Sequence, residues 1–126
     1  MIELKSLCLT CQAWEKKMDL DDLSNEFHDT AVSKGFWDNY EVAPVEFICT
    51  KLALIHSEVT EVLEAIRKDK GETEVMAEFA DILIRTMDLY AGMNERWFVG
   101  DMSLQDAVTR KTDINSNRPK LHGNKF

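Results

Sequence analysis

Leu54-Ile55-His56-Ser57-Glu58-Val59-Thr60-Glu61-Val62-Leu63-Glu64-Ala65, followed by Glu78-Phe79-Ala80-Asp81-Ile82-Leu83, sets apolar residues three and four positions apart with acids between them. That is the period of a helix with one buried stripe, not the alternation of a strand. Outward from this core, Phe47, Ile48, Leu52, Ile55, Val59, Val62, Leu63 and Ile66 continue the stripe. Pro44 suits the first turn, and the helix is expected to end near Lys68. Gly71 with Glu72 and Glu74 marks a turn and a new N-terminus. From there Val75, Met76, Phe79, Ile82, Leu83, Met87, Leu89 and Tyr90 predict a second long helix to about Met93. A connection this short predicts that the two helices pack antiparallel.

The rest of the chain is helical in pattern too. Leu4, Leu7, Cys11, Trp14 and Met18 fall at helical spacing over Ile2 to Met18. Another segment opens at Asp21 and Asp22, where acids favour a helix N-terminus, and runs through Phe27 and Ala31 to a stop at Gly35. Phe36 to Tyr40 reads as an aromatic loop, and Ser103 to Ile114 as a last helix before Asn115 and Pro119. With no strand pattern, repeat or low-complexity segment, the expected fold is an all-α helical bundle. Its centre is the antiparallel hairpin, completed by oligomerisation. Residues 1 to 19 form a helical extension and residues 20 to 126 a single domain with a basic tail.

At 126 residues, with 44% hydrophobic and 30% charged side chains, the chain is a globular one rather than a disordered one. No stretch is long and apolar enough to span a membrane, and Glu3 and Lys5 interrupt any signal-peptide core, so a cytoplasmic protein is expected. Cys8, Cys11 and Cys49 are read as reduced, because the single Cys8-x-x-Cys11 pair lacks the second pair of a structural zinc site. A net charge of −8 opposes nucleic-acid binding. The charge is uneven: from Ala107 onward five basic residues face Asp113 alone, giving +4 and leaving −12 on the body. Such a tail suits either a phosphate ligand or simple solvation.

Glu58 and Glu61 stand three apart on one helix, as do Glu78 and Asp81 on the next, so each pair shares a face. Glu61 lies as far before the turn as Glu78 lies after it, and Glu58 matches Asp81 likewise. The midpoint of both falls between Asp69 and Lys70. Four carboxylates converging in this way repel unless a cation neutralises them, and Mg2+, or Mn2+ in its place, is the expected guest. Ile55, Val59, Val62, Phe79, Ile82 and Leu83 beside them suggest burial. The alternative is that they are solvated acids, with Lys51, Arg67 and Arg85 as partners. A diiron bundle would need Glu-x-x-His, and His56, two before Glu58, points elsewhere.

These two stretches resemble the E-E-x-x-E and E-x-x-D signature of the MazG-like all-α nucleoside-triphosphate pyrophosphohydrolases. The likeness spans about residues 20 to 126. His28, the Gly35-Phe36-Trp37 turn and the tail with Lys111, Asn115, Arg118-Pro119 and His122-Gly123 are similar to its smaller phage- and integron-type members. Ser57 replaces the first glutamate of the pattern, and residues 1 to 18 have no counterpart.

The resemblance implies hydrolysis of a ribo- or deoxyribonucleoside triphosphate to monophosphate and pyrophosphate, by water attacking the α-phosphorus. Metal is assigned to Glu58, Glu61, Glu78 and Asp81, and catalysis to Glu58 and Glu61, with Glu61 taking the water's proton. Lys111, Asn115, Arg118 and Lys125 are expected to hold the outer phosphates. Trp37 is expected to stack on the base with Phe36 beside it, and His28 to bond base or sugar. As alternatives, Trp37 is a core plug and His28 a structural donor. The amphipathic helices suggest a homodimer or tetramer. The competing function is a non-catalytic helical module that binds nucleotide or protein.

Overall fold

A computed structural model of the chain describes residues 17 to 123. The predicted helix over Ile2 to Met18 lies outside the described residues except at its end, where Lys17 to Asp19 are non-helical. The remainder is all-helical, with four helices and two short 3-10 turns among the described residues.

The helix α1, Leu20–Ser33, starts where Asp19 accepts a hydrogen bond from the Asp22 amide at 2.8 Å. It ends where Phe36 N–H bonds Ala31 C=O and Gly35 N–H bonds Val32 C=O, with Gly35 at φ +82°. This paired cap uses the left-handed backbone that glycine adopts without strain. Helix α2, Pro44–Arg67, has proline in its first turn, where the missing N–H costs nothing. It ends in the same paired cap, built this time on Asp69 at φ +50°. Asp69, ahead of Gly71, therefore begins the reversal, and Gly71 caps the N-terminus of α3, Glu72–Arg96.

Helix α3 runs past the expected end at Met93. Arg96 holds the extra turn, because its guanidinium bonds Gly92 C=O at 3.1 Å and lies over the Trp37 and Tyr40 rings. Helix α4, Leu104–Ser116, is capped by Ser103, which accepts from the Asp106 amide at 3.0 Å. It continues through Asn115 to Ser116, two residues further than composition suggested.

Helix α3 is the spine, packing against both α1 and α2, while α4 leans on α1. Partners across the hairpin run from Glu61 with Glu78, through Glu58 with Arg85, to Lys51 with Asp88. Numbers fall on α2 as they rise on α3, so the two helices are antiparallel. The core gathers Trp37, Tyr40, Ile48 and Leu89, with Ala31, Phe47, Ile55 and Met93 around them. Gly92 permits it: a β-carbon there would stand 2.1 Å from the Trp37 ring.

One face of the hairpin stays open. Val59, Leu63 and Ile66 on α2, and Met76, Phe79 and Leu83 on α3, are each about half exposed. The apolar flanks of the acids are thus covered only in part. Val62 is buried, Ile55 and Ile82 are half-buried, and Val59, Phe79 and Leu83 face outward. No helix among the described residues is long and apolar enough to cross a membrane.

Candidate functional site

The register of the hairpin brings the acids together. One carboxylate oxygen each from Glu58, Glu78 and Asp81 lie within 4.8 Å of one another. Glu58 is buried, Glu78 half-buried and Asp81 exposed. Glu61 is exposed and stands outside this trio, hydrogen-bonded to Glu78. Desolvation, then the nearby Glu61 charge and the hydrogen bond to it, with further push from Glu74 and Asp81, raises the Glu78 pKa above the ordinary carboxylate range. An all-oxygen donor set that crowded fits a hard divalent cation.

One positive charge already stands there. Arg85 Nε lies 2.5 Å from Glu58 Oε1. The ion-pair alternative for these acids is therefore realised in one of its three parts. Arg67 instead pairs with Glu64, and Lys51 reaches Asp88 at 3.4 Å.

Beside the acids opens a cavity of about 640 Å³ between the end of α1, the aromatic turn, α2 and α3. Phe27, Ala31, Phe36, Phe47, Leu54 and Ile84 make its apolar walls; Thr30, Thr50, Lys34, Lys51, Asp81, Arg85 and Asp88 supply polar groups. The volume is that of a small-molecule site. Asp81 belongs to both the trio and the cavity wall, so the two are one continuous site.

The expected base-binding residues divide. Phe36, 65% exposed, lines the cavity and offers a ring face. Trp37, 5% exposed, is part of the core. Its Nε1–H donates to Asp88 Oδ1 at 2.8 Å, the His28 ring meets it edge-on, and Lys51 and Arg96 stand over it, each 4.7 Å from its centroid. His28 is buried as well. Its Nδ1 lies 2.8 Å from Asp88 Oδ1 and its Nε2 3.3 Å from Arg96 Nη1, a pattern that suits a proton on Nδ1. In this arrangement both residues brace the cavity floor through Asp88, and neither offers a free face or edge to a base.

Of the expected phosphate ligands, Lys111 and Asn115 sit exposed on α4 and Arg118 just beyond it. The cavity is lined without them. Lys125 lies outside the described residues, as do Cys8 and Cys11; Cys49 is exposed and unpaired to another cysteine. The cations on the cavity wall are Lys34, Lys51 and Arg85. Sequence reasoning passed over Lys34 and Asp88, and treated Lys51 and Arg85 only as surface partners. A signal was present: Arg85 and Asp88 fall four and seven positions after Asp81, on the same face of α3.

One carboxylate gathers three of the hydrogen bonds at the start of α4. Asp21 accepts from Tyr90 O–H at 2.7 Å, from the Leu104 amide at 3.0 Å and from the Gln105 amide at 2.9 Å. Partial burial works to raise its pKa, but the donors from Gln105, Tyr90, Leu104 and Ser103 outweigh that and hold it below the ordinary carboxylate range.

Comparison of the chain with protein-family models, curated proteins and solved structures gives no match.

Proposed function

We propose that the chain is a divalent-metal-dependent nucleoside-triphosphate pyrophosphohydrolase of the MazG-like type. The observation that carries this reading is the Glu58, Glu78 and Asp81 trio opening onto an apolar cavity of nucleotide size. The resemblance of the sequence motifs points to the same chemistry.

Glu58, Glu78 and Asp81 would hold the cation, Mg2+ or Mn2+. When bound, it would neutralise the acids, polarise the phosphate oxygens and acidify a neighbouring water. Glu61, outside the trio and exposed, accepts the water's proton. The water oxygen bonds to the α-phosphorus, the α–β anhydride bond breaks, and pyrophosphate leaves with the bonding electrons. Phe36 and the other phenylalanines of the cavity bind the base by stacking and exclusion of water. Lys34, which lines the cavity, takes an outer phosphate in place of Lys111, Asn115 and Arg118, which do not line it.

A second copy of the chain covers the open apolar face of the hairpin, giving a homodimer or a dimer of dimers. The same exposed side chains favour the rival reading, a non-catalytic module whose apolar face binds another protein. Product analysis separates the two. The purified protein is incubated with Mg2+ and a panel of ribo- and deoxyribonucleoside triphosphates, beside Glu61→Gln. Monophosphate and pyrophosphate, lost in the variant, are the expected result; intact nucleotides throughout would leave the interaction module.

A further inference from the structure

Arg85 has two environments at once. Its Nε lies 2.5 Å from Glu58 Oε1, whose side chain is 7% exposed, while its own side chain is 44% exposed and forms part of the cavity wall. A purely structural partner for a buried carboxylate has no need of that second exposure. Glu58 is also one of the trio, so the guanidinium and an incoming divalent cation would compete for the same carboxylate. On α3, Arg85 stands one turn from Asp81 on one side and one turn from Asp88 on the other. Released from Glu58, its side chain already borders the space a phosphate would enter.

We propose that Arg85 is a resident counter-ion of the acidic site: it neutralises Glu58 in the metal-free protein, gives Glu58 up when a divalent cation loads, and then binds a phosphate of the substrate. This rests on the metal site of the proposed function. It makes loading and substrate capture successive uses of one guanidinium, so a nucleotide is gripped fully only by the loaded protein.

The test uses the full chain and two probes, Mn2+ alone and a triphosphate with a non-hydrolysable α–β link. Free Mn2+ is followed by electron paramagnetic resonance during titration of wild type and Arg85→Gln. Removing a half-exposed ion-pair competitor should tighten Mn2+ binding about fivefold, and at saturating Mn2+ should weaken the triphosphate analogue by about the same factor. A second measurement needs no variant: in wild type, the Arg85 Nε–H NMR signal should shift and lose exchange protection on addition of Mg2+. Unchanged or weaker Mn2+ binding by Arg85→Gln, or an Nε–H signal indifferent to Mg2+, overturns the proposal. If wild type binds Mn2+ and forms pyrophosphate, such a result removes Arg85 alone; if wild type takes no Mn2+, the metal site falls with it.

Discussion

Gly92 and Trp37 are in contact so close that no side chain larger than hydrogen fits between them: a β-carbon on Gly92 would lie 2.1 Å from one indole carbon and 2.4 Å from another. The neighbour is the body of a rigid ring in the core and not the end of a flexible chain. Gly92→Ala should therefore force the indole or α3 to move and cost about 1–3 kcal/mol. Urea denaturation followed by Trp fluorescence measures it, and a variant with the wild-type midpoint would mean that α3 does not approach the indole this closely.

Asp88 accepts from His28 and Trp37 on one oxygen and faces Lys51 on the other. Asp88→Ala strands three donors, two of them buried, and is expected to destabilise by about 3 kcal/mol. Lys51→Met keeps the aliphatic stem and removes one donor, so its loss should be about 1 kcal/mol. Equal midpoints for the two variants would contradict the shared-acceptor geometry.

Asp21 gives the protein an acid sensitivity whose sign follows from its pKa. Its folded value is depressed, so its contribution is present above the unfolded carboxylate pKa and disappears as pH falls through the folded one. Wild type should exceed Asp21→Asn in stability by about 1 kcal/mol at neutral pH, with the gap closing below about pH 4. The Leu104 and Gln105 amides, which bond to Asp21, should lose hydrogen-exchange protection first.

Glu78 works in the opposite direction. Its raised pKa means that ionising it in the folded protein is unfavourable, so its charge opposes folding at neutral pH and the opposition fades on acidification. Glu78→Gln should raise the melting temperature of the metal-free protein. The same change should reduce or abolish the rise that Mg2+ or Mn2+ gives to wild type. A variant that melts lower than wild type without metal, yet responds to it fully, would show that Glu78 is no ligand.

The acidic register was legible because it depends on counting alone. Two pairs three apart, equidistant from a turn, meet if the helices are antiparallel, and Glu58, Glu78 and Asp81 do meet. Helix ends were harder to place. Arg96 extends α3 through a tertiary contact with Trp37, which no local pattern around Met93 records. Reading Trp37 and His28 as ligands rather than braces turned on Asp88, a buried acid that looks like any other helix-surface acid until its three donors are seen. Helical spacing does put Arg85 and Asp88 on the Asp81 face. It does not say that Lys34, from a separate helix, borders the same cavity.

The turn from Lys68 to Gly71 is exposed and touches none of the site, yet it sets the phase of one helix against the other. Each residue of an α-helix advances about 100° around the axis and about 1.5 Å along it. One residue inserted after Asp69 would carry Glu78 and Asp81 round and away from Glu58 unless the loop absorbed it. The length of this connection is therefore itself a determinant of the site, and a deletion scan through it would find intolerance where alanine at Lys68 or Lys70 finds little.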